Sequence, residues 1–191
     1  MTNKKGTAAR FQLLLIALVF LGPLLLAIWL YFGGSAFQPE GRTNHGELLQ
    51  PLVNIRDAVP QSPIHEHNDG HWLLVYRNDG ICDAACEFSL YTVRQSRLML
   101  GKEMDRLVRV FLHGESAPDT VYLAEEHAGL VAFSDSGFST LLENKRPSEQ
   151  SAGGYYLVDP LGNLVMYFPP DIEPSDMVED IKRLLKFSRI G

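Results

Sequence analysis

The only two cysteines of this chain, Cys82 and Cys86, follow directly on a short apolar run, Trp72–Tyr76, and the turn residues Asn78-Asp79-Gly80. A short apolar run closed by such a turn reads as a buried strand, and the segment after the turn as the start of a helix. On a helix, residues at i and i+4 have Cβ atoms about 5–6 Å apart, whereas a disulfide needs about 3.5–4.5 Å. The spacing therefore predicts that Cys82 lies just outside the first helical turn, where a non-helical backbone lets it reach Cys86. A thiolate there meets the positive end of the helix dipole, and the flanking carboxylates of Asp83 and Glu87 oppose it. Two thiols at a strand-to-helix turn suit a dithiol redox site or a two-thiolate metal clamp. The plainer alternative is a structural disulfide, although a bridge over so short a loop constrains the unfolded chain weakly.

The rest of the chain alternates strand and helix signals. Leu52–Ile55 reads as an edge strand and Pro60–Gly70 as loop. A helix is expected from about Ala84 to Arg106, with Leu90, Val93 and Leu100 on one apolar stripe and Phe88, Tyr91 and Leu98 on another. Leu107–Leu112 alternates as a strand with Val108, Val110 and Leu112 on one side. Thr120–His127, Gly129–Phe133 and Phe138–Glu143 read as helix, strand and helix, the crossover that parallel strands require. Gly154–Val158 and Asn163–Phe168 flank Asp159-Pro160-Leu161-Gly162 and read as a β-hairpin. A last helix begins near Ser175 with Met177, Ile181, Leu184 and Leu185 inward.

From Phe11 to Phe32 the residues are apolar except for Gln12, Gly22, Pro23 and Tyr31. At 1.5 Å per residue that run is long enough for a bilayer core of about 30 Å. Lys4, Lys5 and Arg10 precede it, so the positive-inside rule places the N-terminus in the cytoplasm. The expected organisation is a cytoplasmic segment 1–10, a transmembrane anchor 11–32, a tether 33–50 and a periplasmic domain 51–191, at the bacterial inner membrane. A cleaved signal peptide ending near Gly33-Gly34-Ser35-Ala36 is the alternative, but its apolar region would normally span about 7–15 residues.

The chain carries a formal net charge of −6. Its anchor is basic, so the exported part is more acidic still and unsuited to nucleic acid. An oxidising compartment favours pairing of the two thiols. His65, His67 and His71 form the pattern H-x-H-x3-H, whose imidazoles suit zinc or copper. The opposing reading is an exposed loop with incidental histidines, because flexible loops hold coordination geometry poorly.

The order βαβα, hairpin and closing helix, with a dithiol at the start of the first long helix, resembles the thioredoxin fold, an α/β domain with a central mixed sheet flanked by helices. Within that fold the C-x3-C spacing of Cys82 and Cys86, the N-terminal anchor and the hairpin Tyr156–Gly162 resemble the Sco/SenC family. The resemblance implies a membrane-tethered protein that assists cytochrome c oxidase assembly, with Cys82 and Cys86 as thiol-disulfide reagent or as copper ligands. Its partners would be a cytochrome c oxidase subunit or another copper or thiol protein. The chain departs from the family at two places: Glu87 stands where a proline follows the second cysteine, and Ser151-Ala152-Gly153 stands where the ligand histidine is expected. His127 or one of the loop histidines is then the candidate third ligand. A non-catalytic docking protein with a structural bridge is the alternative of a different class. Thiol peroxidase chemistry lacks its usual proline, threonine and arginine setting around Cys82.

Overall fold

A strand that opens on five buried apolar residues, β2 (Trp72–Asn78), carries the second of the two units into which the chain divides, Met1–Arg42 and Thr43–Gly191. The computed structural model describes residues 4–32, 44–116, 118–150, 153–188 and 190. Strand β2 pairs in parallel with β3 (Leu107–His113), which pairs in parallel with β4 (Leu130–Phe133). On its other side β2 pairs antiparallel with β5 (Tyr155–Val158), and β5 with β6 (Asn163–Phe168). Strand β1 (Glu47–Asn54) closes the edge against β6, giving a mixed sheet of order β1-β6-β5-β2-β3-β4.

Helices cover both faces, which is why β2 needs no polar alternation. On one face Trp72, Leu74 and Tyr76 pack with Cys86, Leu90 and Val93 of α4 (Ala84–Met99) and with Met177, Ile181 and Leu185 of α7 (Pro174–Phe187). On the other, Leu73, Val75, Val110 and Leu112 meet Ile55 of the one-turn helix α2 (Ile55–Ala58) and Phe138 and Leu142 of α6 (Ser136–Lys145). Helix α5 (Thr120–Glu126) lies between β3 and β4 in the chain. The hairpin turn is held by Asp159, whose Oδ1 accepts from the Leu161 and Asn163 amides, and by Gly162 at φ +89°.

Several expectations shift at their boundaries. Strand β1 begins at Glu47, taking up the end of the expected tether; residues 33–43 lie outside the described residues. The expected loop Pro60–Gly70 holds a helical turn, α3 (His65–Asn68), whose buried Asn68 donates to the carbonyls of His71 and Asp159. The long helix ends at Met99, because Gly101 turns to φ +62° and the chain runs through a 3-10 turn, Gly101–Arg106, into β3. Of its two apolar stripes only Leu90, Val93 and Leu100 are buried; Phe88, Tyr91 and Leu98 face solvent. Helix α7 starts at Pro174, whose fixed φ suits the first helical position, rather than being capped by Ser175. Its Asp180 is buried and accepts from the amides of His45 and Gly46, tying the start of the domain to the last helix.

The described part of the first unit is one helix, α1 (Lys4–Phe32), with Pro23 inside it. Its described side chains run without a break only from Leu14 to Trp29, and over the described residues no helix is long and apolar enough to cross a membrane. The anchor at residues 11–32 thus rests on the sequence.

Candidate dithiol site

Strand β2 delivers the chain to the site through a tightly bonded turn. The Asn78 side chain accepts from the Gly80 amide at 3.1 Å, and the Asn78 carbonyl accepts from Gly114 at 3.0 Å. Gly114 is held to glycine by that approach, since a Cβ there would lie 2.2 Å from the Asp79 carbonyl oxygen. The next three residues reach the cap of α4, where Asp83 Oδ1 accepts from the Ala85 and Cys86 amides, each at 3.1 Å. Asp83 is thus the N-cap, and Cys82 stands one residue outside the helix, where the spacing argument placed it. Cys82 and Cys86 are joined in a disulfide with Cα atoms 5.0 Å apart.

The two sulfurs have different surroundings. Cys86 is 1% exposed and belongs to the apolar cluster with Tyr76, Leu90 and Tyr155, whereas Cys82 is half-buried at the edge of that cluster. A small cleft of about 130 Å³ beside Cys82 is lined by Glu87, Pro118, Asp119 and Tyr122. A larger one of about 910 Å³ runs along the Cys86 side, past Tyr76, Asp79, Asp83, Ser89 and Gly154. Burial pushes the phenols of Tyr76 and Tyr155, which share the apolar cluster of Cys86, up, so these hydroxyls stay neutral beside the site.

A polar network braces the wall of the larger cleft. Arg77, at the end of β2, donates to Ser139 Oγ at 2.6 Å and to the carboxylates of Asp79 and Glu143. Arg146 donates to the other oxygen of Glu143 at 2.6 Å. These bonds, from Arg146 first and then from Arg77, hold the Glu143 carboxyl below its ordinary pKa. The network ties the turn before Cys82 to α6, and neither Arg77 nor Glu143 carries a motif that would reveal this in the sequence. Opposite, Gly153 and Gly154 line the cleft at φ of +95° and +98°.

The histidines are not gathered to the sulfurs. His65 lies in α3 with Nε2 against the Val59 carbonyl at 2.8 Å, and His71 precedes β2 with Nδ1 on the Asp69 carbonyl at 2.8 Å. His67 belongs to the same turn. All three stand before the N-terminal end of β2 and the cysteines follow its C-terminal end, a strand length of about 20 Å away at 3.3 Å per residue. His127 is buried and packs edge-on to Tyr122 at 5.3 Å; Tyr122 and not His127 lines the cleft at Cys82. Burial first, then Arg94 and Arg109, lowers the His127 pKa. Among the described residues no three His, Cys, Asp or Glu side chains form a metal-binding group. Ser151 and Ala152, where the resemblance expects the ligand histidine, lie outside the described residues. A reduced pair would offer copper two soft thiolates and no imidazole, so the residues present do not fit a three-ligand copper centre.

The family model for transmembrane-like, thioredoxin-like C-terminal domains matches residues 72–188. Comparison with curated proteins gives no match. Similar solved structures include copper-bound ScoI of Arabidopsis thaliana, 17% identical over 65% of this chain and 89% of that one, with a TM-score of 0.51. Copper-bound yeast Sco1 is 16% identical over 65% and 81% of the two chains, at a TM-score of 0.51. The apo Sco1 protein of Thermus thermophilus is 16% identical over 79% and 99%, at 0.55. At such identities the likeness is one of fold, and it agrees with the mixed sheet and flanking helices described above. With its match running from strand β2 to the end of helix α7, the chain belongs to the family of transmembrane-like, thioredoxin-like C-terminal domains and has the fold that the Sco proteins share.

Proposed function

We propose that this protein is a membrane-tethered thiol-disulfide reagent that acts on the cysteines of an exported partner during cytochrome c oxidase assembly, with Cys82 and Cys86 as its working pair. The observation that carries the reading is the asymmetry of the bridge: one sulfur half-exposed ahead of the helix, the other buried in its first turn, with a cleft beside each. In the reduced protein Cys82 attacks the partner's disulfide and Cys86 resolves the mixed disulfide. The partner class comes from the Sco-like fold and from the sequence resemblance. Copper delivery is not part of the proposal, since the third ligand is lacking among the described residues.

The anchor at residues 11–32 and the tether that follows it hold the domain on the outer side of the inner membrane in this reading. A Cys86→Ser variant, which keeps the attacking thiol and loses the resolving one, is expected to trap a partner in a mixed disulfide, whereas Cys82→Ser traps none. Loss of oxidase activity on deletion that is restored by added copper alone would argue against a thiol-based role. The burial of Cys86 favours a second reading, a docking domain with a structural bridge, and a Cys86→Ser strain with full oxidase activity and no trapped species would support it.

A further inference from the structure

Five carboxylates line the two clefts at the bridge: Glu87 and Asp119 beside Cys82, and Asp79, Asp83 and Glu143 along the Cys86 side. Asp79 and Glu143 are matched by Arg77, which bonds both, and by Arg146, which bonds Glu143 again, so the carboxylates that carry no ion pair among the described residues are Asp83, Glu87 and Asp119. Asp83 and Asp119 are fixed in place as the caps of α4 and α5, where their charge offsets the positive helix ends that would otherwise draw an anion. Exposed apolar side chains lie on the same elements: Ile81 directly before Cys82, Phe88 on α4 and Val121 on α5. A disulfide or thiol that reaches Cys82 must therefore come through a negative field over partly apolar ground.

We propose that the Cys82–Cys86 site selects cationic partners, a cysteine-bearing segment flanked by lysine or arginine, over anionic thiols and disulfides; the inference rests on the thiol-disulfide reading above. The step is a two-electron exchange. The Cys82 thiolate attacks one sulfur of the partner disulfide, forming a mixed disulfide and expelling the other sulfur as a thiolate. The Cys86 thiolate then attacks Cys82 Sγ and expels the second partner sulfur. The partner disulfide is reduced, the pair is oxidised, and the two protons of the protein thiols end on the two released thiolates. The carboxylates hold a cationic segment against the bridge through this sequence, and they repel an anionic one at every stage.

The test uses reduced full-length protein in a non-ionic detergent with three small disulfides: cystamine (cationic), 2-hydroxyethyl disulfide (neutral) and dithiodiglycolate (anionic). Each rate is divided by the rate of dithiothreitol with the same compound, which removes the intrinsic reactivity of the probe. The normalised cystamine-to-dithiodiglycolate ratio is expected to be about tenfold or more at low ionic strength and to fall towards one near 0.5 M salt. Glu87→Gln, which removes a charge without touching a helix cap, is expected to lower that ratio about two- to threefold. A ratio at or below one at low salt, with the neutral probe still reduced, overturns the charge selection and leaves the exchange chemistry standing. Failure to reduce any of the three, in protein whose thiols alkylate normally, overturns the exchange reading itself.

Discussion

Gly153 and Gly154 differ in one respect that a pair of alanine substitutions separates. Both sit in the left-handed half of backbone space, at φ +95° and +98°. A Cβ on Gly153 meets nothing within 4 Å, whereas one on Gly154 lies 2.6 Å from the Phe168 carbonyl oxygen and 2.6 Å from the Tyr167 hydroxyl. The Phe168 backbone cannot swing aside, because Phe168 is paired with Tyr155 across β5 and β6. Gly153→Ala therefore carries the conformational cost alone, about 1–2 kcal/mol. Gly154→Ala adds overpacking of about 1–3 kcal/mol, for about 2–5 kcal/mol in all. With a urea m-value of about 2 kcal/mol/M, the midpoint falls by about 0.5–1 M for the first variant and about 1–2.5 M for the second. Trp72 is 4% exposed and offers a fluorescence signal from the domain core. Equal shifts for the two variants would refute the argument, because the close approach at Gly154 would then carry no weight.

Other outcomes follow from single contacts. In reduced protein a small alkylating agent is expected to modify Cys82 at least about tenfold faster than Cys86, read by peptide mass spectrometry, because reactivity follows exposure and only Cys82 is accessible. Asp180→Ala is expected to cost about 3 kcal/mol in urea unfolding, with Asp180→Asn milder, since the amides of His45 and Gly46 lose a buried charged acceptor. His127 is held neutral below its ordinary pKa by burial, then by Arg94 and Arg109, so the unfolded chain binds its proton more readily. Its contribution is complete above about pH 6.5 and declines as pH falls below that, by at most about 1.4 kcal/mol per pH unit. His127→Gln is expected to flatten that limb in urea midpoints taken at pH 7.5, 6.0 and 5.0.

The elements that sequence reasoning found are those whose cause is local. The apolar run Trp72–Tyr76 can only be satisfied by burial on both faces, and the Asp159–Gly162 turn carries its own chemistry, so β2 was legible to within two residues and the β5–β6 hairpin to within one. The position of Cys82 was legible too, because helix geometry and disulfide geometry are incompatible at four residues' spacing unless one partner lies outside the helix. What was not legible depends on distant partners. Arg77 and Glu143 are far apart in the chain and meet only because β2 and α6 pack together. Asp180 takes its role only from the chain at His45 and Gly46, more than a hundred residues earlier, whose amides it accepts from. Phe88, Tyr91 and Leu98 repeat at helical spacing like a core stripe, and nothing in the periodicity tells the stripe that meets the sheet from the one left in solvent.

Whether the bridge exists for stability or for chemistry can be decided from its loop. With a sequence separation of only 4, the chain-entropy estimate for the gain in stability is about 2 kcal/mol, against about 4.7 kcal/mol for a loop of 100 residues. Linkage converts that gain into potential: about 1.4 kcal/mol is about 30 mV for a two-electron couple, so the folded pair should be harder to reduce than the unfolded one by only about 45 mV. Both quantities are measurable, the first as the difference in unfolding free energy between oxidised and reduced protein, the second by equilibrating native and urea-unfolded protein against thiol-disulfide buffers. Values near 2 kcal/mol and 45 mV describe a pair that the fold keeps in exchange with its surroundings. A gap above about 100 mV, or about 5 kcal/mol, would mean that native contacts hold the bridge shut. The half-exposed position of Cys82 would then be incidental, and the domain would be a docking module that uses its cysteines to fix the first turn of α4.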